Sequence, residues 1–360
     1  MHYDDIPLFN RGRKAFASDE IQNNIRFMLN ISDFVVVTTD YIKQYYNKKY
    51  GVPLQNIIAV PNLLPRWWFG DRYDPDKKVE QFKKFKSKPR IGIISSLSHY
   101  NVDELRVTKD GIPCICKKDP KTQEEKWITH DSKEIEVKFE DTEIMKDDFD
   151  LISDTVRNTV NDFQWVIVGH VPNKIKDLVE KKKIEYHPGT TILNYPSALE
   201  NLCLQAVVAP IIDMEFNRCK SHIKYIECCA LGVPLFASNY KPYSGIMKPQ
   251  FLFNDEKELE EKLKKLKFSS TGAYKSIIED NWKVFNTPKK DGDFTVKNWW
   301  LEDNLQIWID LFRLKPRAPT CSMKLYITRK QENEKQQKLI DEQEKNSTIL
   351  KTDDGVKIMK

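Results

Sequence analysis

The sequence predicts an α/β protein built on a parallel sheet, and three observations carry that prediction. Short β-branched runs at 34–38, 57–60, 90–95, 163–169 and 204–211 have the composition of buried strands. Between them lie stretches whose apolar residues recur at helical spacing. One segment, 217–239, passes from polar turn to short helix, glycine and β-branched strand without interruption. Strands alternating with helices are the rhythm of a parallel sheet covered by helices.

Taken in order, residues 20–31 place Ile21, Ile25, Met28 and Leu29 on one helical face. Residues 34–38 read as a buried strand, and Thr39 or Asp40 is placed to cap the helix carrying Ile42, Tyr45 and Tyr46. A second strand at 57–60 stops at Pro61-Asn62. Residues 66–89 turn polar and lysine-rich between Pro65 and Pro89, and are predicted to link two domains. The strand at 90–95 opens a second domain expected to span 90–297. Within it, 103–140 breaks the rhythm: charged and β-branched residues alternate around Asp110-Gly111, as in an inserted β-hairpin. Then follow a helix at 148–161, a strand at 163–169, a helix at 172–182, a short strand at 184–187 and a helix near 195–201. The strand at 204–211 leads into the 217–239 segment. Helices are predicted at 256–266, 272–285 and, rich in aromatics, 299–313, the last within a crossover segment at 298–328. From 329 to 360 lysine, glutamate and glutamine dominate, as in a solvated helix or a disordered tail.

The chain has 360 residues, 40% hydrophobic and 31% charged, which suffices for two modest domains or one domain with appendages. Its net charge of +5 is compatible with nucleic acid but does not select it. Seven cysteines, an odd number without framework spacing, fit a reducing cytoplasm. No leader pattern and no apolar run near twenty residues stand out, so a cytoplasmic protein with no membrane span is expected. There is no P-loop, zinc-protease helix or serine-hydrolase elbow. Cys114-Ile115-Cys116 with His130 has too short a gap, and no second pair, for structural zinc. Without a well-placed DxD, no metal or other cofactor is expected. Cys228-Cys229 read as small buried residues on a helix. Trp67-Trp68 and Trp299-Trp300 either stack on bases or sugars or cover a domain interface.

The chemistry concentrates in Asn217-Arg218-Cys219-Lys220-Ser221-His222-Ile223-Lys224-Tyr225-Ile226-Glu227. Lys220 and Ser221 fall where a helix N-terminus offers backbone N–H groups to an anion. Arg218 and Lys220 are the candidate diphosphate cations. Lys224, one turn on, either adds to them or faces solvent. Glu227 lies nearly two turns further, close to the same face. Asn217 either binds sugar hydroxyls or shapes the loop. After the strand at 90–95 come Ser95-Ser96-Leu97-Ser98-His99-Tyr100-Asn101, at the strand end where open α/β sheets bind ligands. Ser96 is a candidate for donor phosphate and His99 for the donor sugar; the alternative is a plain serine-rich turn. His170, after Gly169, either lines a cleft or is merely solvated. Cations, free N–H groups and a carboxylate for hydroxyls are together what a nucleotide-sugar site needs.

Glu227 followed by Ala230-Leu231-Gly232-Val233-Pro234 resembles the donor site of retaining glycosyltransferases of the two-Rossmann-domain (GT-B) type, family 4-like. In that family a glutamate on this helix contacts the nucleotide ribose, and the resemblance gives that role to Glu227. The turn at 186–191 stands where the family packs the nucleobase. A second glutamate, eight positions earlier and near the donor sugar, is usual; here Cys219 stands there, with Glu215 four residues upstream. The N-x-x-K-S-x-x-K-x-x-E pattern resembles a subgroup often encoded by tailed phages. The resemblance implies a Rossmann-like sheet forming the C-terminal half of a GT-B fold, a nucleotide-sugar substrate and transfer with retention. It implies an acceptor that is a modified phage DNA base or a host surface glycan, and, if phage-encoded, location in host cytoplasm. The family's first domain normally carries roughly 150 residues or more, whereas about sixty precede the linker here. Residues 3–10 resemble an interior acidic segment, and 31–62 resemble that domain's last strands, with Ser32-Asp33 before and Pro61-Asn62 after. Residues 1–65 are therefore expected to be a shortened acceptor-side remnant whose sheet edge needs covering. The helix at 299–313, a partner chain or self-association could cover it. The second reading is a non-catalytic or split-enzyme subunit that binds a nucleotide sugar and needs a partner chain. A third is a sugar-nucleotide epimerase, for which no paired acid/base residues stand out.

Overall fold

The computed structural model describes residues 19–95, 99, 105–118, 125–129 and 134–314. Ser96, His130, the opening segment and the polar tail lie outside them.

The chain begins with a small α/β unit. Helix α1 (Asp19–Ile31) is followed by β1 (Val35–Val37), α2 (Asp40–Tyr50) and β2 (Ile57–Ala59). The Thr39 hydroxyl accepts from Ile42 N and caps α2, as its position in the sequence suggests. Gly51 ends the helix in the left-handed region, φ 72°, where a side chain would be strained. The two strands pair in parallel, Val35 opposite Ile57 and Val37 opposite Ala59. Their core gathers Ile25, Leu29, Tyr46 and Val52, and Cys219 reaches into it from far along the chain.

The predicted linker is instead helical and packed. Helix α3 (Arg66–Phe69) and α4 (Pro75–Phe85) occupy it. Asp74 caps α4 by accepting from Lys77 N, and Pro75 sits in the first turn, where its missing N–H costs nothing. Lys77, Lys83 and Lys84 cover the exposed side, which is why the segment reads as polar; Lys78 and Phe82 are buried, and Phe82 stacks on Tyr274 at 4.2 Å.

Strand β3 (Arg90–Ser95) opens the main sheet. Where a hairpin is predicted, the chain builds a five-stranded antiparallel sheet from β4 (Arg106–Thr108), β5 (Pro113–Lys118), β6 (Glu125–Thr129), β7 (Glu134–Ile135) and β8 (Thr142–Ile144), ordered β7-β6-β5-β4-β8. Its strands are short and charged, so only the central turn signals itself in sequence. Next come α5 (Ser153–Asn158), β9 (Gln164–Gly169), α6 (Lys176–Glu180), β10 (Glu185–His187), α7 (Tyr195–Asn201) and β11 (Ala206–Ala209). Then follow α8 (Glu215–Cys219), α9 (Ile223–Ala230), β12 (Leu235–Ser238) and β13 (Leu252–Phe253). The main sheet is wholly parallel, in the order β10-β9-β3-β11-β12-β13. Numbered within the sheet this is 3-2-1-4-5-6, the doubly wound order, with its switch point between β3 and β11.

Helices α10 (Glu256–Phe268) and α11 (Thr271–Phe285) lead to a hairpin of β14 (Lys289–Asp291) and β15 (Phe294–Val296). This hairpin binds the first unit to the second. Ala59 N donates to Asp293 Oδ2 at 2.7 Å, and Asp293 N donates to Ala59 O at 2.9 Å, covering the outer edge of β2. Further on, Leu64 pairs with Trp300 in an isolated parallel bridge. Trp299 and Trp300 are buried beside Phe285, ahead of α12 (Leu305–Phe312), which starts later than predicted. This tryptophan pair is thus packed into the main core. Trp67 is exposed, whereas Trp68 donates its indole N–H to Ile192 O.

Candidate functional site

At the switch point, the carboxyl ends of β3 and β11 part around a cavity of about 20 Å³, lined in part by His99, Asp148, Ile211, Lys224 and Tyr243. It holds roughly one water. The segment after β3 supplies His99, the turn before α5 supplies Asp148, and α8 and α9 supply the residues of the 217–227 motif.

Three predicted residues converge here. His99 Nδ1 lies 2.8 Å from Asp148 Oδ2. Lys220, between α8 and α9, brings Nζ to 3.3 Å from both ring nitrogens of His99 and lies 4.4 Å over the Phe216 ring. Asn217 donates to Asp148 Oδ1 at 2.7 Å and to Ile212 O at 2.9 Å. Burial, reinforced by the Lys220 charge and opposed by Asp148, pushes His99 down to about 4. The imidazole is therefore neutral at pH 7 and stands ready as an acceptor rather than a cation.

Other predicted residues are turned elsewhere. Asn217 is fully buried, so it shapes the loop and does not reach sugar hydroxyls. The Arg218 guanidinium forks onto Asp213, Nε at 2.6 Å and Nη2 at 2.7 Å, and its charge is met within the protein. Ser221 is buried, its hydroxyl accepting from Asn62 Nδ2, which ties the motif to the end of β2. Cys219 is buried in the core of the first unit, where desolvation and then Glu215 push its thiol up to about 12.

Glu227, about one turn into α9, is buried and accepts from the Tyr195 hydroxyl at 3.1 Å. Burial holds its carboxyl above the ordinary range, against the pull of Lys224 and Tyr195. Tyr195 in turn stacks on Trp68, 6.2 Å between centroids. His222, at the N-cap of α9, provides no side-chain cap. Its ring is buried, with Nε2 3.3 Å from Asp291 Oδ2 of the hairpin. His170 is pushed down by burial, and Cys228 and Cys229 are buried as expected. Among the described residues no three His, Cys, Asp or Glu side chains gather as a metal site.

Sequence reading missed Asp148, Tyr195 and Asp213. Asp148 reads as one more acidic residue ahead of a helix, after a strand of the insert rather than of the parallel sheet.

No family model and no curated protein matches the sequence. Solved structures match in fold. Anabaena Alr3699/HepE in complex with UDP-glucose has a TM-score of 0.50 at 11% identity, over 81% of this chain and 68% of that one. The same protein with UDP and glucose gives 0.51 at 11% identity, over 81% and 67%. The fold is Rossmann-like, of the GT-B kind. A glycosyltransferase from Rickettsia africae ESF-5 is also similar, with a TM-score of 0.47 at 15% identity over 81% and 68% of the two chains. Among the described residues no helix is long and apolar enough to cross a membrane.

Proposed function

We propose that the chain binds a nucleoside-diphosphate sugar across the switch-point crevice and transfers the sugar to an acceptor. The observation that carries this reading is the meeting of His99, Lys220 and Lys224 at the switch point, one turn from the uncapped start of α9. Lys220, Lys224 and the first-turn N–H groups of α9 receive the diphosphate, and their positive potential stabilises charge building on it as the sugar departs. Arg218 and Ser221, engaged by Asp213 and Asn62, contribute less than their positions in the sequence suggest. Glu227 takes the ribose hydroxyls, with Tyr195 setting its orientation. His99 faces the donor sugar. The likeness to an Anabaena protein crystallised with UDP-glucose supports this placement through the fold. Because lysines and a helix end meet the phosphate charge, binding needs no metal and should persist in EDTA.

Retention, and an acceptor that is a DNA base or a glycan, are the finer parts of the proposal; they rest on the resemblance of Glu227 and the following small-residue turn. A second reading, a nucleotide-sugar-binding subunit that acts with a partner chain, is favoured by α12, whose Leu305, Ile309 and Phe312 are exposed. A thermal-shift screen with UDP, GDP, ADP and their sugars tests donor binding, since a ligand selective for the folded state raises its melting temperature. One nucleotide series should raise it, and Glu227→Ala should weaken the shift. No shift with any nucleotide would sink the donor reading.

A further inference from the structure

Asp148 has no part in the donor chemistry above, yet it is the most connected side chain at the crevice. It opens the 3-10 turn Asp148–Leu151, which Asp147 caps by accepting from Phe149 N and Asp150 N. Its carboxylate is completely buried. Oδ1 accepts from Ile212 N at 2.9 Å and Asn217 Nδ2 at 2.7 Å, while Oδ2 faces His99 Nδ1 at 2.8 Å. One carboxylate thus joins the segment after β3, the segment after β11 and helix α8, the three pieces of chain that meet at the switch point.

The geometry dictates a tautomer. An ionised carboxylate only accepts, so the hydrogen between Asp148 and His99 belongs to Nδ1, and Nε2 keeps its lone pair. Lys220 Nζ is equidistant from both ring nitrogens at 3.3 Å, and so lies near the ring's midline rather than along one lone pair. From there it opposes a second proton. Among the described residues, the charged groups facing the ring are Asp148 from the turn before α5, Lys220 from between α8 and α9, and Lys224 from α9.

We propose that Asp148 is the positioning residue of the crevice: it fixes His99 as the Nδ1–H tautomer with Nε2 as acceptor, and through Ile212 and Asn217 it holds the Lys220 loop against that ring. Any consequence for donor binding rests on the function proposed above; the tautomer does not, because it belongs to the protein without ligand. Asp148→Asn is the informative change. Its amide keeps an oxygen for Ile212 N but can offer an N–H to His99, which then must accept through Nδ1 and carry its hydrogen on Nε2.

The test is nitrogen-15 NMR of the full chain with labelled histidine at neutral pH, His99 being assigned by the resonance lost in His99→Gln. The expected wild-type spectrum shows His99 protonated on Nδ1 only. Asp148→Asn should switch it to Nε2–H and weaken at least tenfold the binding of whichever of UDP, GDP and ADP the wild type takes. An Nε2–H or doubly protonated His99 in the wild type, or an unchanged tautomer in Asp148→Asn, would overturn the proposal. If Asp148→Asn does not fold, the wild-type spectrum alone decides. If the tautomer is as expected but no nucleoside diphosphate binds, the positioning role stands and the donor reading falls.

Discussion

Lys220 carries the largest share of the proposed chemistry, because its ammonium is held at the crevice against an aromatic face and a neutral imidazole. A hydrogen bond to a charged group contributes about 1.5–3 kcal/mol, so Lys220→Ala should weaken nucleoside-diphosphate binding by at least about tenfold. Arg218→Ala is the contrast. Its guanidinium already forks onto Asp213, so its loss should cost severalfold less, as titration calorimetry of both variants would show. Much of this was legible in the sequence. The spacing of Lys224 and Glu227 on one short helix, with Lys220 just ahead of it, marks an anion-binding end with a carboxylate behind it. The fate of Asn217 and Ser221 was not legible, because their partners Asp148 and Asn62 come from distant segments, whereas Asp213 stands only five residues before Arg218. Spacing along one segment cannot reveal a hydrogen bond across three.

The hairpin of β14 and β15 is the element that joins the first unit to the motif, and glycine and titration chemistry both test it. Gly292 sits at φ +61°, and a Cβ there would stand 2.5 Å from Ala59 O. Gly51 has a similar φ of +72° but open space around it. Gly292→Ala should therefore lower stability by about 2–3 kcal/mol, and Gly51→Ala by about 1 kcal/mol, in urea unfolding. Beside this turn, burial pushes Asp291 up to about 6 and its neighbour His222, at the start of α9, down to about 3. A lowered histidine lets the unfolded chain bind more protons, so its contribution rises as pH rises from about 3 to 6.5. A raised aspartate does the reverse, and its contribution falls as pH rises from about 4 to 6. The two oppose each other between about pH 4 and 6. On that step the stability change should be more negative than wild type in His222→Gln and more positive in Asp291→Asn. At this scale the sequence reveals buried strands well, because β-branched runs such as 204–211 have few other uses. It conceals α4, whose lysines hide Phe82, and it shows a single turn where the five strands β4 to β8 form, because short charged strands lack an apolar face.

For the molecule as a whole, the parallel sheet in 3-2-1-4-5-6 order determines where a ligand can bind, and the motif's side chains determine which kind. The order itself was not readable, since neighbouring strands such as β3 and β11 are separated by the insert and two further strands; the alternation that implies a doubly wound sheet was. The exposed apolar face of α12 should show in solution: Phe312→Glu and Ile309→Glu should reduce any self-association seen in sedimentation while leaving nucleotide binding intact. The central claim is that the crevice between β3 and β11 binds a nucleoside diphosphate through Lys220. Titration calorimetry of the full chain with UDP, GDP and ADP, in EDTA, on wild type and Lys220→Ala, tests it most directly. The account predicts that one of the three binds wild type and is weakened at least about tenfold in the variant. Equal binding to both proteins, or none to wild type, would contradict it.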